Sequence, residues 1–249
     1  MRSVACGILA VLCAASVGYA DERTGNSYSL FAPEPAHAPH AMYLAGGDIW
    51  HAGTFGHAGL LWSPGGLFRE GFTLKLLGGA GTYRYISKGG LGDVEVRGYG
   101  YLGAVMPGWR FKAGTLEATV YAGLDVQHHK LTPDDPGNRL RGTHFGIRAG
   151  ADIWYEPAPA IMLAANVSAS TIGPDYWTRV AAGWRAFDLL WLGPELQGLG
   201  GPTHHQFRAG MHVTSFRYGL YEWSAGFGFS TDTDRRSGVY ARIGVLMRQ

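Results

Sequence analysis

Residues Tyr221–Ser230 read Tyr-Glu-Trp-Ser-Ala-Gly-Phe-Gly-Phe-Ser. Tyr221, Trp223, Ala225, Phe227 and Phe229 fall on one parity, and Glu222, Ser224, Gly226, Gly228 and Ser230 on the other. Side chains of a strand point to opposite faces with period two, so this segment is amphipathic only as a β-strand. The next segment repeats the pattern: Val239, Ala241, Ile243, Val245 and Met247 alternate with Tyr240, Arg242, Gly244, Leu246 and Arg248. Working back toward the N-terminus, similar segments recur along nearly the whole chain. Twelve strands are expected, near 41–52, 55–64, 69–86, 92–106, 113–130, 139–156, 159–172, 175–187, 189–200, 204–217, 219–231 and 236–248.

The start of the chain has the features of an export signal. Arg2 provides a positive n-region, an apolar stretch runs from Val4 to Val17, and Gly18-Tyr19-Ala20 supplies the small residues that a signal peptidase reads. Cleavage is expected after Ala20, and residues 21–40, with Pro33, Pro35 and Pro39, are expected to be a flexible lead-in. Both cysteines, Cys6 and Cys13, lie in the signal, so no disulfide or thiolate metal site is expected beyond it. The remaining residues, 41–249, suffice for one large β domain.

Composition excludes several classes. The chain has 21 basic and 19 acidic residues, a balance with no basic face for nucleic acid. Glycine is unusually frequent, 39 of 249 residues, but without a collagen period. It sits inside the alternating segments, where crowded interiors and bends favour it. No later run is long and apolar enough for a membrane helix. The expected fold is all-β: a transmembrane, antiparallel, up-and-down barrel of about twelve strands in a bacterial outer membrane, surrounded by lipid. A soluble lipocalin-like barrel or sandwich fits less well, because the strands are long and the polar rows are rich in small residues.

With the N-terminus in the periplasm, odd-numbered connections face outward. The longest polar connection, Leu131–Asn138 (Leu-Thr-Pro-Asp-Asp-Pro-Gly-Asn), is then extracellular, while the connections at Glu156–Pro159, Phe187–Leu189 and Arg217–Gly219 are periplasmic. The threading places Trp62, Trp109, Trp154, Trp184, Trp191 and Trp223 near inner strand ends and Trp50 and Trp177 near outer ends, as an aromatic girdle would.

If the apolar rows meet lipid, the other rows meet the lumen. Those rows carry Glu117, Tyr121, Asp125 and Gln127 on strand five, and His144, Arg148, Asp152 and Glu156 on strand six. Arg179 and Arg185 lie on strand eight, Glu195 and Gln197 on strand nine, Gln206, Arg208 and His212 on strand ten, and Arg242 on strand twelve. Two uses are open: a structural network of ion pairs, since buried charges need partners, or a polar conduit with sugar-contacting groups. Tyr121 with Glu117, Asp125, Arg148 and His144 is the best aromatic-plus-charge cluster for a glycan. The pairs His128-His129 and His204-His205 split across the two strand faces and make poor metal sites. No G-x-S-x-G, H-E-x-x-H or P-loop occurs, so no catalytic residue, metal or cofactor is assigned.

Several segments resemble the cellulose biosynthesis protein BcsS family of Gram-negative bacteria. They are Gly71-Phe72-Thr73-Leu74-Lys75-Leu76-Leu77, Pro107-Gly108-Trp109-Arg110-Phe111-Lys112, Ala122-Gly123-Leu124-Asp125, Trp154-Tyr155-Glu156-Pro157, Leu192-Gly193-Pro194-Glu195 and Glu222-Trp223-Ser224-Ala225-Gly226. The most specific is Pro133-Asp134-Asp135-Pro136-Gly137-Asn138-Arg139-Leu140-Arg141-Gly142. The resemblance runs from about residue 43 to the C-terminus. It implies a part in making or exporting cellulose or a related exopolysaccharide, with that polysaccharide and its secretion machinery as partners, and it supplies no catalytic residues. The expected function is an outer-membrane accessory of that system, with a narrow glycan conduit as one form. A lipid- or glycan-modifying enzyme and a non-conducting docking barrel are the alternatives.

Overall fold

The computed structural model describes residues 39–87, 94–173, 175–201 and 204–249. The expected signal peptide and nearly all of the expected lead-in lie outside these residues.

Twelve antiparallel strands form one closed barrel, each paired with its sequence neighbours, and β1 pairs with β12 to complete the ring. They are β1 (Ala41–Trp50), β2 (Gly53–Trp62), β3 (Gly71–Ser87), β4 (Val94–Ala113), β5 (Leu116–Thr132), β6 (Gly142–Ala158), β7 (Ile161–Ser170), β8 (Asp175–Ala186), β9 (Leu190–Gly200), β10 (His205–Tyr218), β11 (Tyr221–Asp232) and β12 (Ser237–Arg248). The closing seam places Met42 opposite Arg248 and Trp50 opposite Tyr240. Closure leaves no edge strand, which a lipid environment requires because it offers no hydrogen-bond partner for an open ladder.

The expected number and parity of strands are those observed. The largest boundary difference is β4, which continues through Pro107-Gly108-Trp109-Arg110 to Ala113 instead of ending at 106. Proline and glycine there mimic a turn signal. In the barrel, the β4–β5 ladder skips Met106 and Pro107 and resumes at Gly108↔Tyr121 in the same register. The strand thus tolerates a residue with no N–H. One β-bulge occurs in β10, where the pairing with β11 shifts between Val213 and Phe216 and Ser215 takes φ 65°.

The long connection at 133–141 lies at one end of the barrel, opposite the end where β1 starts and β12 finishes. At the latter end, the inner one in the expected topology, most turns are tight. Between β8 and β9, Phe187 and Asp188 both have positive φ, the backbone of a primed hairpin turn. The β2–β3 connection, 63–70, is longer than its inner neighbours. It tucks beneath the barrel, with Leu67 fully buried, its amide donating to the Pro39 carbonyl at 2.7 Å, and Ser63 Oγ donating to the carbonyls of Gly66 and Phe72.

Outward rows are apolar: Leu124, Phe145, Ile147, Val180, Phe227 and Ile243 all stand exposed on the outside. The girdle differs in part from expectation. Trp62, Trp109, Trp184 and Trp223 point outward at the inner end, but Trp50, Trp154, Trp177 and Trp191 are on lumen parity and buried. Position along a strand placed them near an interface, whereas parity decided which face they occupy.

Candidate functional site

The lumen is filled by the side chains of its own wall. Arg110, Arg148 and Arg208 are 2% exposed or less, and partnered charged groups flank most of them.

On one side of the barrel, a cluster runs along the consecutive strands β5 to β8. Arg148 Nη2 lies 2.8 Å from Asp125 and 3.6 Å from Asp175, and Arg148 Nη1 donates to Ser168 Oγ. Asp125 also accepts from Gln127 at 3.0 Å and from Ser170 at 2.6 Å. The β5–β6 register places Gly123 opposite Arg148 and Asp125 opposite Gly146. Glycine on alternate lumen positions leaves room for the long side chains beside it.

A neighbouring cluster lies nearer the inner end. Lys75 Nζ is 2.9 Å from Asp152, donates to the Tyr121 hydroxyl at 3.2 Å and sits 4.3 Å from the centre of the Tyr121 ring. Tyr121 donates to the other Asp152 oxygen, as does Asn166.

On the opposite side, Glu195 on β9 joins two arginines: Arg179 Nε at 2.8 Å and Arg242 Nη2 at 2.7 Å. Tyr240 donates to it at 3.0 Å. Arg208 bridges Asp48 at 3.1 Å and lies over the rings of Trp50 and Tyr240. Glu195–Arg242 and Arg208–Asp48 each join strands that are not adjacent in the sheet, so both span a chord of the interior.

Of the expected lumen residues, Tyr121, Asp125, Arg148, Asp152, Arg179, Glu195, Arg208 and Arg242 thus fall into these clusters. Glu117 pairs lower down with Lys112 at 2.7 Å. Arg185 lies 3.6 Å from Glu156 and over the Trp191 ring. His144 stands apart: its Nε2 is 3.1 Å from the Arg141 carbonyl at the outer rim. The single cluster expected from Glu117, Tyr121, Asp125, Arg148 and His144 is therefore spread along the barrel axis among different partners. Lys75 and Asp48 are not among the expected lumen residues. Both lie on buried strand positions of lumen parity, and that parity was the available signal.

At the outer mouth, Tyr85 donates to Asp135 at 2.9 Å and accepts from Asn138 at 3.1 Å, which pins the long loop to β3. His51, in the β1–β2 turn, has Nδ1 3.0 Å from Ser230 Oγ and Nε2 3.3 Å from Asp232. A serine, a histidine and an acid meet there, but Ser230 is 3% exposed and also donates to the Gly238 carbonyl. Asp232 is held by Arg236 at 2.8 Å. The trio ties the turn to β11.

A closed twelve-stranded barrel with an apolar outer belt and a charged, packed interior defines an outer-membrane-type barrel. The family model for cellulose biosynthesis protein BcsS matches residues 42–249, and the chain belongs to that family, which associates it with cellulose biosynthesis. No curated protein matches the sequence. Among solved structures, the fold is similar to a deletion mutant of the monoaromatic hydrocarbon channel TodX, at 7% identity and TM-score 0.51, covering 86% of this chain and 91% of that one. It also aligns with the translocator domain of the autotransporter NalP from Neisseria meningitidis, at 11% identity and TM-score 0.49, covering 86% and 90%. The KdgM porin aligns at 8% identity and TM-score 0.46, covering 83% and 98%.

Proposed function

We propose that this chain is an outer-membrane accessory of cellulose biosynthesis whose barrel works as a closed platform for the secretion machinery, and that it is not an enzyme. The observation that carries this reading is the burial of Arg148 and Arg208 inside multiply bonded clusters. An open pore would have to separate such pairs, and stripping one partner from a buried ion pair costs about 3–5 kcal/mol. The serines also speak for a structural lumen. Ser168 accepts from Arg148, and Ser170 donates to Asp125, a carboxylate already engaged by Arg148, so neither hydroxyl meets a base free to activate it as a nucleophile.

The test is conductance in planar bilayers. The purified barrel is expected to show no steady open-channel current, and Asp48→Ala with Arg208→Ala is expected to introduce one. A steady current through the parent protein would overturn the closed platform.

A second reading, the narrow glycan conduit, draws support from the cations seated on aromatic rings, Lys75 on Tyr121 and Arg208 on Trp50. Sugars offer apolar C–H faces rimmed by hydroxyls and need both kinds of contact. On that reading, Tyr121→Ala with Arg148→Ala lowers surface polysaccharide while the amount of folded barrel stays constant. On the platform reading, surface polysaccharide follows the amount of folded barrel.

A further inference from the structure

The outward rows of the strands are almost free of charge. Among the described residues, the charged side chains on them are Arg84 on β3, Glu95 and Arg97 on β4, and Lys130 on β5. All four sit at the outer ends of three adjacent strands. The remaining outward rows carry apolar, aromatic, small or uncharged polar groups up to both rims.

The register makes this cluster compact. Arg84 and Arg97 are direct cross-strand partners. Lys130 is opposite Tyr99, and Arg97 is opposite Thr132, so Lys130 is the diagonal neighbour of Arg97. Directly opposed side chains have Cβ atoms roughly 5 Å apart and diagonal ones about 7–8 Å apart, and like charges in these positions repel. Compensation among the described residues is slight. Glu95 lies 3.8 Å from Arg84, with both side chains about half exposed, a pair of little strength in solvent. Arg84 Nη2 donates to the His51 carbonyl at 2.9 Å. Among the described residues, the side chains of Arg97 and Lys130 have no hydrogen-bond or ion-pair partner.

Directly below the cations on the same outward face come Tyr99 and Tyr101, then Val105, Leu124, Phe145 and Ile147. Phe145 is 82% exposed and Leu124 73%. Cations above an aromatic layer above an apolar slope match, group for group, a lipid with a phosphorylated head and acyl tails. We propose that Arg84, Arg97 and Lys130 form a docking site for the phosphate head of an outer-leaflet lipid, whose acyl chains lie along the Val105–Leu124–Ile147 slope. Arginine binds phosphate oxygens through paired N–H donors, and an anion between Arg84 and Arg97 relieves their repulsion. The site is on the outside of the wall and does not depend on whether the lumen conducts.

Native mass spectrometry of the full-length barrel in detergent tests this, with bis-phosphorylated lipid A, its dephosphorylated form and inorganic phosphate as probes. Retained adducts are expected with lipid A and not with either control. The triple variant Arg84→Gln, Arg97→Gln, Lys130→Gln is expected to weaken lipid A binding by at least about tenfold, the scale of one lost charge-assisted hydrogen bond. Glu95→Gln, which removes the lone outward anion, is expected to strengthen it. Gel mobility with and without heating establishes that each variant is folded. Equal binding of dephosphorylated lipid A, equal binding of inorganic phosphate, or an unchanged affinity in the folded triple variant would each overturn the site. Should the triple variant not fold, the Glu95→Gln arm decides the same question.

Discussion

Arg148 and Asp125, on adjacent strands β6 and β5, meet at 2.8 Å with side chains 2% and 0% exposed. Neither is left alone, because Ser168, Ser170, Gln127 and Asp175 complete the cluster. The pair shows how this barrel fills its interior: each charge is surrounded by groups from two or three strands.

Removing either partner leaves the other buried without its nearest counter-charge. Arg148→Ala and Asp125→Ala are each expected to destabilise the barrel by about 3–5 kcal/mol. The double variant should lose little more than either single one, because the interaction is removed only once. Urea unfolding in detergent, followed by heat-modifiable gel mobility, measures this. Fully additive losses would show that the two side chains do not act as a pair.

The outward face predicts a dependence on depth. Ile147 stands exposed deeper along β6 than Thr143, which lies near the outer rim of the same strand. Ile147→Arg should cost roughly 2–4 kcal/mol and Thr143→Arg at most about 1. Equal costs would place the lipid belt elsewhere. Gly146 is not a neutral control for the lumen side, since a Cβ there would lie 2.6 Å from Ile172 and from Thr171.

The 133–141 connection is expected at the cell surface. Asp135 and Asn138 anchor it to Tyr85, while Pro136 and Gly137 between them are exposed. An epitope inserted between Pro136 and Gly137 should be labelled on intact cells. Labelling only after permeabilising the outer membrane would invert the barrel. Tyr85→Phe, which deletes the hydroxyl linking both anchors, should raise protease cleavage in this loop without changing the stability of the barrel wall.

Much of this architecture was legible in the sequence because period two is a strong signal where one face is apolar. Alternation like that of Tyr221–Ser230 separates inward from outward residues strand by strand, and Glu117, Arg148, Glu195 and Arg242 all lie on the inward parity. Pairing between non-adjacent strands was not legible. Lys75 meets Asp152 because β3 and β6 approach across the interior, and no local pattern encodes that approach. Pro107-Gly108 misled for a physical reason: the residues that make turns are also those that a strand can place at a gap in its ladder. His144 had the right parity but the wrong height, since parity says nothing about position along the barrel axis.

The seam between β1 and β12 carries a kinetic consequence. Met42 and Arg248 close a loop that contains nearly the whole barrel, and the amides of His40 and Ala41 donate to the Gln249 carbonyl just beyond it. Until that seam zips, two strands present bare ladders to hydrocarbon, a state no bilayer solvates. Contacts this remote in sequence form slowly and late. Insertion should therefore proceed as one cooperative event, and a catalyst that templates the free edge of β1 or β12 would act on its slowest step.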